Sequence, residues 1–164
     1  MAKTNEDSGP NVRHSRYIIV ESKIACPQCA MVTTVFAFAL PAGYESLNPA
    51  DDIPDNASEV WERTEIAAVL SYVEYLSDAV INRIRAMTSH YRLESNPGRE
   101  GRFWRNHCEH CQTALEEELL HDDLDSPFGP LGAESSGAIQ LHPVREPFEA
   151  QVGGESYDVK ALDG

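Results

Sequence analysis

The chain has 164 residues, of which 41% are hydrophobic, and it carries a formal net charge of −14. This length suits one domain with a real core, whereas the acidic balance disfavours non-specific binding to nucleic acid or anionic membranes. The longest apolar run, Val35 to Leu40, is far shorter than the roughly 18 residues of a membrane span. Because the start of the chain also has no apolar stretch of the signal-peptide type, we expect a soluble cytoplasmic protein.

The first predicted elements are a polar arm and two strands. Residues 1–15 are polar and predict a disordered arm. The β-branched and aromatic residues of 17–20 predict a short strand. A second strand is predicted over 31–40, with Phe36 on one face and Val35 on the other. Since both faces are largely apolar, we expect this strand in the middle of a sheet.

Residues 41–60 predict an acidic surface loop. They hold five acidic residues, no basic residue and three prolines, a composition typical of a loop. Trp61 follows directly, and we expect it to be buried where the loop meets the core.

Residues 65–89 fit two interpretations. The strand formers of 68–75 predict a strand, and Ser77 followed by Asp78 is typical of a helix start. We therefore predict a strand and then a helix over 78–89, with Val80, Ile84 and Met87 on its buried face. One continuous helix over 64–89 remains the alternative.

Beyond residue 90 the pattern predicts short elements. These are a strand at 91–93, a turn at 96–98, a short helix or extended arm at 113–120, and edge strands at 139–144 and 147–152. Pro143 and Pro147 keep the last two away from the sheet centre. The whole predicts an α+β fold: a small antiparallel sheet with one or two helices in a single domain over 16–152, followed by a flexible tail over 153–164.

The chemistry lies in two Cys-x-x-Cys units, which contain all four cysteines. Each unit can supply half of the thiolate tetrahedron that zinc prefers. We therefore predict one structural Zn2+ bound by Cys26, Cys29, Cys108 and Cys111, a zinc-ribbon-like site closed by cysteine pairs with 78 residues between them. Trp104, close before the second unit, is expected to be buried beside the metal turn.

Three other interpretations of the cysteines stay open. A redox dithiol is one, because the first unit resembles a thioredoxin-like turn, but there the motif opens a helix and residues 32–35 form helices poorly. Two structural disulfides are the second, although nothing suggests export. An iron centre, or no metal, is the third.

The residue after the second cysteine of each unit departs from the usual pattern. Zinc turns commonly place glycine there because φ is positive, whereas this chain has Ala30 and Gln112. If the geometry is kept, we expect it to cost about 1 kcal/mol per turn.

Three histidines lie near these motifs. His107 or His110 can replace a thiolate, although a hydrogen bond beside the ligands or exposure to solvent is the preferred interpretation. His121 precedes an acidic run and is interpreted as part of a solvated acidic turn, with a hard-metal site as the alternative.

The locally basic stretch of 83–105 bears on function. We expect its arginines to pair with the acidic residues of 106–164. If they were unpaired on one face beside Tyr91, Phe103 and Trp104, they would suit a nucleic-acid-associated zinc protein. The preferred hypothesis is a non-catalytic zinc-stabilised module whose partner is another protein. A small thiol- or metal-dependent enzyme is the third hypothesis, for which no catalytic residue is predicted.

Residues 103–111, with Leu120-His121 and Pro127-Phe128, resemble a family of small uncharacterised bacterial proteins with a split, zinc-ribbon-like pair of Cys-x-x-Cys motifs. In that family an aromatic pair and an asparagine precede the second unit. Residues 69–74 and Tyr91-Arg92 fit it too, so that the resemblance covers roughly 17–150. It implies metal binding and no assigned activity.

Overall fold

The structure, a computed structural model, describes residues 9–47, 60–96, 99–121, 126–128 and 139–157. These ranges contain ten strands and two short helices. The strands are β1 (Val12–His14), β2 (Tyr17–Ala25), β3 (Val32–Leu40), β4 (Tyr44–Leu47), β5 (Trp61–Thr64), β6 (Ala68–Leu76), β7 (Tyr91–Asn96), β8 (Arg99–Asn106), β9 (Gln140–Val144) and β10 (Phe148–Ser156), and the helices are α1 (Asp78–Arg85) and α2 (Glu117–His121).

Eight strands form one antiparallel sheet in the order β5-β4-β1-β10-β6-β3-β2-β9. The sheet curls into a half-barrel. β7 and β8 pair separately as an antiparallel hairpin, and β8 packs against β6.

The predicted α+β fold with a small sheet is therefore wrong, because the described chain is mostly β. The missed strands are short and polar. β5, for example, reads Trp-Glu-Arg-Thr, and its two central side chains are exposed. Such segments become strands because a neighbouring backbone pairs with them: β4 pairs with β5 from Tyr44↔Thr64 to Leu47↔Trp61. The side-chain pattern of such a segment does not itself predict a strand.

The middle of the sheet has a core on both faces, as the pattern of β3 predicts. Phe36 and Phe38 pack on one face with α1 and the β7–β8 hairpin. Val35 and its alternate neighbours pack on the other, together with Leu120, Phe128 and the buried Cys26 and Cys108. β3 lies between β2 and β6, which confirms its predicted central position.

Residues 65–89 form a strand followed by a helix, which confirms one interpretation and excludes the continuous helix. Val80 and Ile84 are buried as predicted, but α1 ends at Arg85, and Met87 beyond it is 37% exposed. Ser77 precedes the helix without a side-chain capping bond. Its carbonyl accepts the Ile81 N–H at 3.0 Å.

The two edge strands predicted near Pro143 and Pro147 have different positions in the sheet. β9, which contains Pro143, is an edge strand as predicted. β10 lies between β1 and β6, so the edge position predicted for 147–152 is wrong. Pro147 immediately precedes the strand, where it removes no ladder hydrogen bond.

The sheet extends beyond the expected domain limits at both ends. β1 falls inside the predicted arm, and β10 continues to Ser156. Within the predicted loop 41–60, residues 44–47 form β4, so the loop prediction is wrong there. Residues 48–59 lie outside the described residues, as do 1–8 and 158–164. No helix within the described ranges has the length and apolarity needed to cross a membrane.

Candidate metal centre

Each Cys-x-x-Cys unit forms a tight turn directly after a strand. The first turn links β2 to β3: the Cys26 N–H donates to the Met31 carbonyl at 2.9 Å, and the Ala30 N–H donates to the Cys26 carbonyl at 2.8 Å. The second turn follows β8 and repeats both bonds around Cys108, at 2.9 and 3.0 Å. The two turns are therefore the same local structure, built twice from distant parts of the chain.

The residue after the second cysteine is left-handed in both turns. Ala30 and Gln112 each have a φ of 65°, the region that favours glycine. The turn geometry is thus kept without glycine, and each position bears a strain of about 1 kcal/mol.

The four thiols converge at one point. All four Sγ atoms lie within 4.8 Å of one another, and two of the distances are 3.7 Å: from Cys26 to Cys111 and from Cys29 to Cys108. A tetrahedron with metal–sulfur bonds of about 2.3 Å has sulfur–sulfur edges of about 3.8 Å. The cluster can therefore hold a metal ion. All four cysteines are free thiols, and their separation far exceeds the roughly 2.05 Å of a disulfide bond.

Backbone N–H groups point at the sulfur atoms. The Gln28 N–H lies 3.3 Å from Cys26 Sγ, and the His110 N–H lies 3.4 Å from Cys108 Sγ. These dipoles favour the thiolate form. At Cys108, burial opposes ionisation, but hydrogen bonds from the N–H groups of Cys111 and His110 prevail and lower its pKa to about 6.

The pKa of Cys29 is shifted in the opposite direction from that of Cys108. The Met31 N–H lowers the pKa of Cys29, but burial and the neighbouring thiols outweigh it and raise that pKa to about 12. Hydrogen bonds among the thiols favour the neutral form of Cys29 and the thiolate form of Cys108. A bound cation would favour the thiolate form at all four cysteines.

Direct contacts hold the second turn against β3 independently of the sulfurs. The Glu109 N–H donates to Thr33 Oγ1 at 2.9 Å, and Glu109 Oε2 accepts the Thr34 N–H at 2.9 Å. His110 Nε2 donates to the Val32 carbonyl at 2.9 Å. Sequence reasoning missed these contacts, although Glu109 stands inside the predicted metal motif.

Asn106, two residues before Cys108, anchors the same region. Its side-chain amide is buried and bonds twice to the backbone of Phe36, at 2.8 and 2.9 Å. Its only sequence signal was its place between an aromatic pair and the second unit.

The histidines beside the second unit have partners other than the thiol cluster. His107 is buried, with Nε2 2.6 Å from Glu94 Oε2 and Nδ1 3.1 Å from the Arg105 carbonyl oxygen. The ring of His110 bonds the Val32 carbonyl. Among the described residues, the group that can hold a metal consists of the four cysteines.

His121 does not lie in a solvated turn, so that interpretation was wrong. It is 6% exposed, its ring centre is 5.3 Å from that of Phe128, and its Nε2 is 3.6 Å from Glu117 Oε2. Burial lowers its pKa to about 4. The acidic residues 122–125, and with them the alternative hard-metal site, lie outside the described residues.

Two arginines of the basic stretch pair with acidic residues of 106–164, as expected. Arg83 forms an ion pair with Glu146, and the buried Arg105 bonds to Glu116 at 3.1 Å. The aromatic residues proposed for base stacking are buried, namely Tyr91, Phe103 and Trp104. In the folded protein these three rings are therefore not exposed for stacking on bases.

The tryptophans only partly follow expectation. Trp104 is buried, but it stacks on Tyr91 at 5.7 Å in the core cluster opposite to that of Cys26 and Cys108. Its predicted place beside the metal turn is therefore wrong. Trp61 is only partly buried and lies under the guanidinium of Arg13, at 3.9 Å.

Comparison with protein-family models, curated proteins and solved structures finds no match for this chain. The resemblance to small bacterial proteins therefore stays a prediction, and the function rests on the site itself.

Proposed function

We propose that this protein is a non-catalytic module that binds one structural Zn2+ through Cys26, Cys29, Cys108 and Cys111 and interacts with another protein. The observation that carries the proposal is the spacing of the sulfurs, with all four Sγ atoms within 4.8 Å and two cross-turn distances of 3.7 Å.

The donor set supports zinc. Four thiolates in a tetrahedron suit zinc or iron–sulfur chemistry, whereas hard cations prefer oxygen. Four protein ligands also complete the tetrahedron, and a catalytic zinc keeps one position open. A structural role follows from that closed set of ligands.

The outer side of the first turn supports a protein partner. Met31 and Val32 follow that turn directly and are 53% and 59% exposed. Methionine is enriched at protein interfaces, and apolar contacts dominate their centres. The partner is therefore proposed to contact this end of β3.

Elemental analysis of protein purified without added metal tests the zinc proposal. We expect one zinc per chain, with all four thiols protected from alkylation until a chelator is added. Stoichiometric iron, or rapid alkylation of the untreated protein at all four cysteines, contradicts it.

A capture experiment tests the partner proposal. Met31→Ser should weaken recovery of the partner, whereas Met87→Ser, at an exposed methionine after α1, should not. If both variants capture the same proteins as the wild type, the first turn is not the contact surface.

A further inference from the structure

The four cysteines differ in their access to solvent. Cys26 and Cys108 are buried and Cys29 is partly buried, whereas Cys111 is exposed. Oxidation of a thiolate depends on how easily an oxidant reaches the sulfur. A small oxidant arriving from solvent therefore meets Cys111 first.

Cys111 has a reaction partner in the other turn. Its Sγ lies 3.7 Å from that of Cys26, so the two sulfurs must approach by about 1.6 Å to reach disulfide length. This pair links the turn after β2 to the turn after β8.

We propose that Cys111 is a peroxide-sensitive thiol and that Cys26 resolves it, which gives a Cys26–Cys111 disulfide and releases the metal. The inference rests on the proposed function, because the metal that is released is the Zn2+ proposed to bind these four cysteines.

The chemistry proceeds in two steps with hydrogen peroxide as the oxidant. The Cys111 thiolate attacks one peroxide oxygen, so that an S–O bond forms, the O–O bond breaks and hydroxide leaves. The Cys26 thiolate then attacks the sulfenic sulfur, so that the S–S bond forms, the S–O bond breaks and a second hydroxide leaves. The sulfurs lose two electrons, the peroxide gains them, and both hydroxides are protonated to water. Cys29 and Cys108 then remain as half of the ligands that tetrahedral zinc requires.

Contacts of the second turn that involve no sulfur allow the disulfide to form within the folded protein. Glu109 bonds to Thr33 and Thr34, and Asn106 bonds to Phe36, without involving any sulfur. The turn therefore stays beside β3 when its ligands change, and a thiol reductant can restore the site.

Peroxide treatment of the zinc-loaded full chain tests the proposal. Zinc release is followed with a chromogenic chelator, and disulfides are mapped by mass spectrometry after alkylation. We expect release together with a Cys26–Cys111 cross-link, both reversed by dithiothreitol and added zinc. Disulfides confined to Cys26–Cys29 and Cys108–Cys111, or retention of zinc without a cross-link, overturn it.

Two matched variants separate accessibility from ligand loss. Cys111→His and Cys29→His each keep four ligands, because zinc accepts three cysteines and one histidine. Only the first variant lacks the attacked sulfur, so its peroxide-driven zinc release should be several-fold slower than that of the second. Equal release rates contradict the inference.

The metal content before oxidation tests the proposed function on its own. Disulfide mapping is therefore repeated on the reduced, zinc-free chain, where the same Cys26–Cys111 cross-link is expected. If the protein as purified contains no zinc before oxidation and yet forms this cross-link, the proposed function is overturned and the thiol pairing is supported. If the purified chain contains zinc but does not form the cross-link, the proposed function stands and the thiol pairing is contradicted.

Discussion

Asn106 takes the place of a neighbouring strand beside Phe36. The Phe36 N–H donates to Asn106 Oδ1 at 2.8 Å, and Asn106 Nδ2 donates to the Phe36 carbonyl at 2.9 Å. The pairing of β3 with β6 extends only from Phe38↔Leu70 to Leu40↔Ala68. One side chain thus satisfies the backbone where the strand pairing has ended, and it fixes the start of the second cysteine turn.

Replacing this amide should destabilise the fold. Asn106→Ala leaves a buried N–H and a buried carbonyl of Phe36 unpaired, and we expect a loss of about 2–4 kcal/mol in the free energy of unfolding. Denaturant-induced unfolding measures it. Asn82→Ala, at an exposed position of α1, is the control and should change stability little. Equal stability of the two variants contradicts this role.

Glycine should stabilise the first turn. Ala30 has a φ of 65°, so Ala30→Gly removes left-handed strain and should raise the free energy of unfolding by about 0.5–1 kcal/mol. Ala86→Gly is the matched control. Ala86 has a φ of −71° at the end of α1, and glycine there should lower stability by about 0.5–1 kcal/mol. Thermal unfolding of both variants checks the opposite signs.

His121 should make the protein sensitive to mild acid. Its pKa is about 4 in the folded protein, against 6.5 for an ordinary histidine. Between these values the unfolded chain binds a proton that the folded chain does not, so stability is complete above pH 6.5 and falls as the pH decreases towards 4. The loss approaches about 1.4 kcal/mol per pH unit and about 3 kcal/mol in total.

The contribution of His121 is measured by comparing variants across this pH range. The difference in unfolding free energy between wild type and His121→Gln should change with pH, because only the wild type gains the unfolded-state proton. His142→Gln, at a partly exposed histidine 3.0 Å from Glu21, is the control. A pH-independent difference for His121→Gln contradicts the prediction.

Loss of one metal ligand should destabilise the whole domain. Cys29 and Cys108 are 79 positions apart, and metal binding energy across such a span becomes folding energy. We expect Cys108→Ser and Cys26→Ser to lower the melting temperature comparably. A strong chelator should lower it in the wild type and change little in either variant. Removal of the metal from the wild type without a shift in melting contradicts the structural role.

The predictable parts of the fold are those with a strong local signal. The apolar residues on both faces of β3 identified a central strand, and Ser77-Asp78 marked the boundary between β6 and α1. β1 and β4 have no such signal, because they are short and polar. They are paired to each other, with Arg13 and Glu45 3.1 Å apart across them.

In the candidate site, too, the parts with a local sequence signal were predictable and the others were not. The four cysteines were predictable because metal binding needs particular residue types at short spacing. The contacts of Glu109 with Thr33 and of Asn106 with Phe36 join residues 76 and 70 positions apart. Only the assembled sheet brings such residues together, so no local pattern predicts these bonds.

The position of β10 has a consequence for biosynthesis. β1 to β9 all precede it in the chain, yet it is inserted between β1 and β6. While it is still inside the ribosome, the emerging chain has two strand groups with unpaired edges, an arrangement that invites pairing with other chains. Productive folding must therefore wait until β10 has been synthesised, and a chaperone that shields strand edges during translation should increase the yield of native protein.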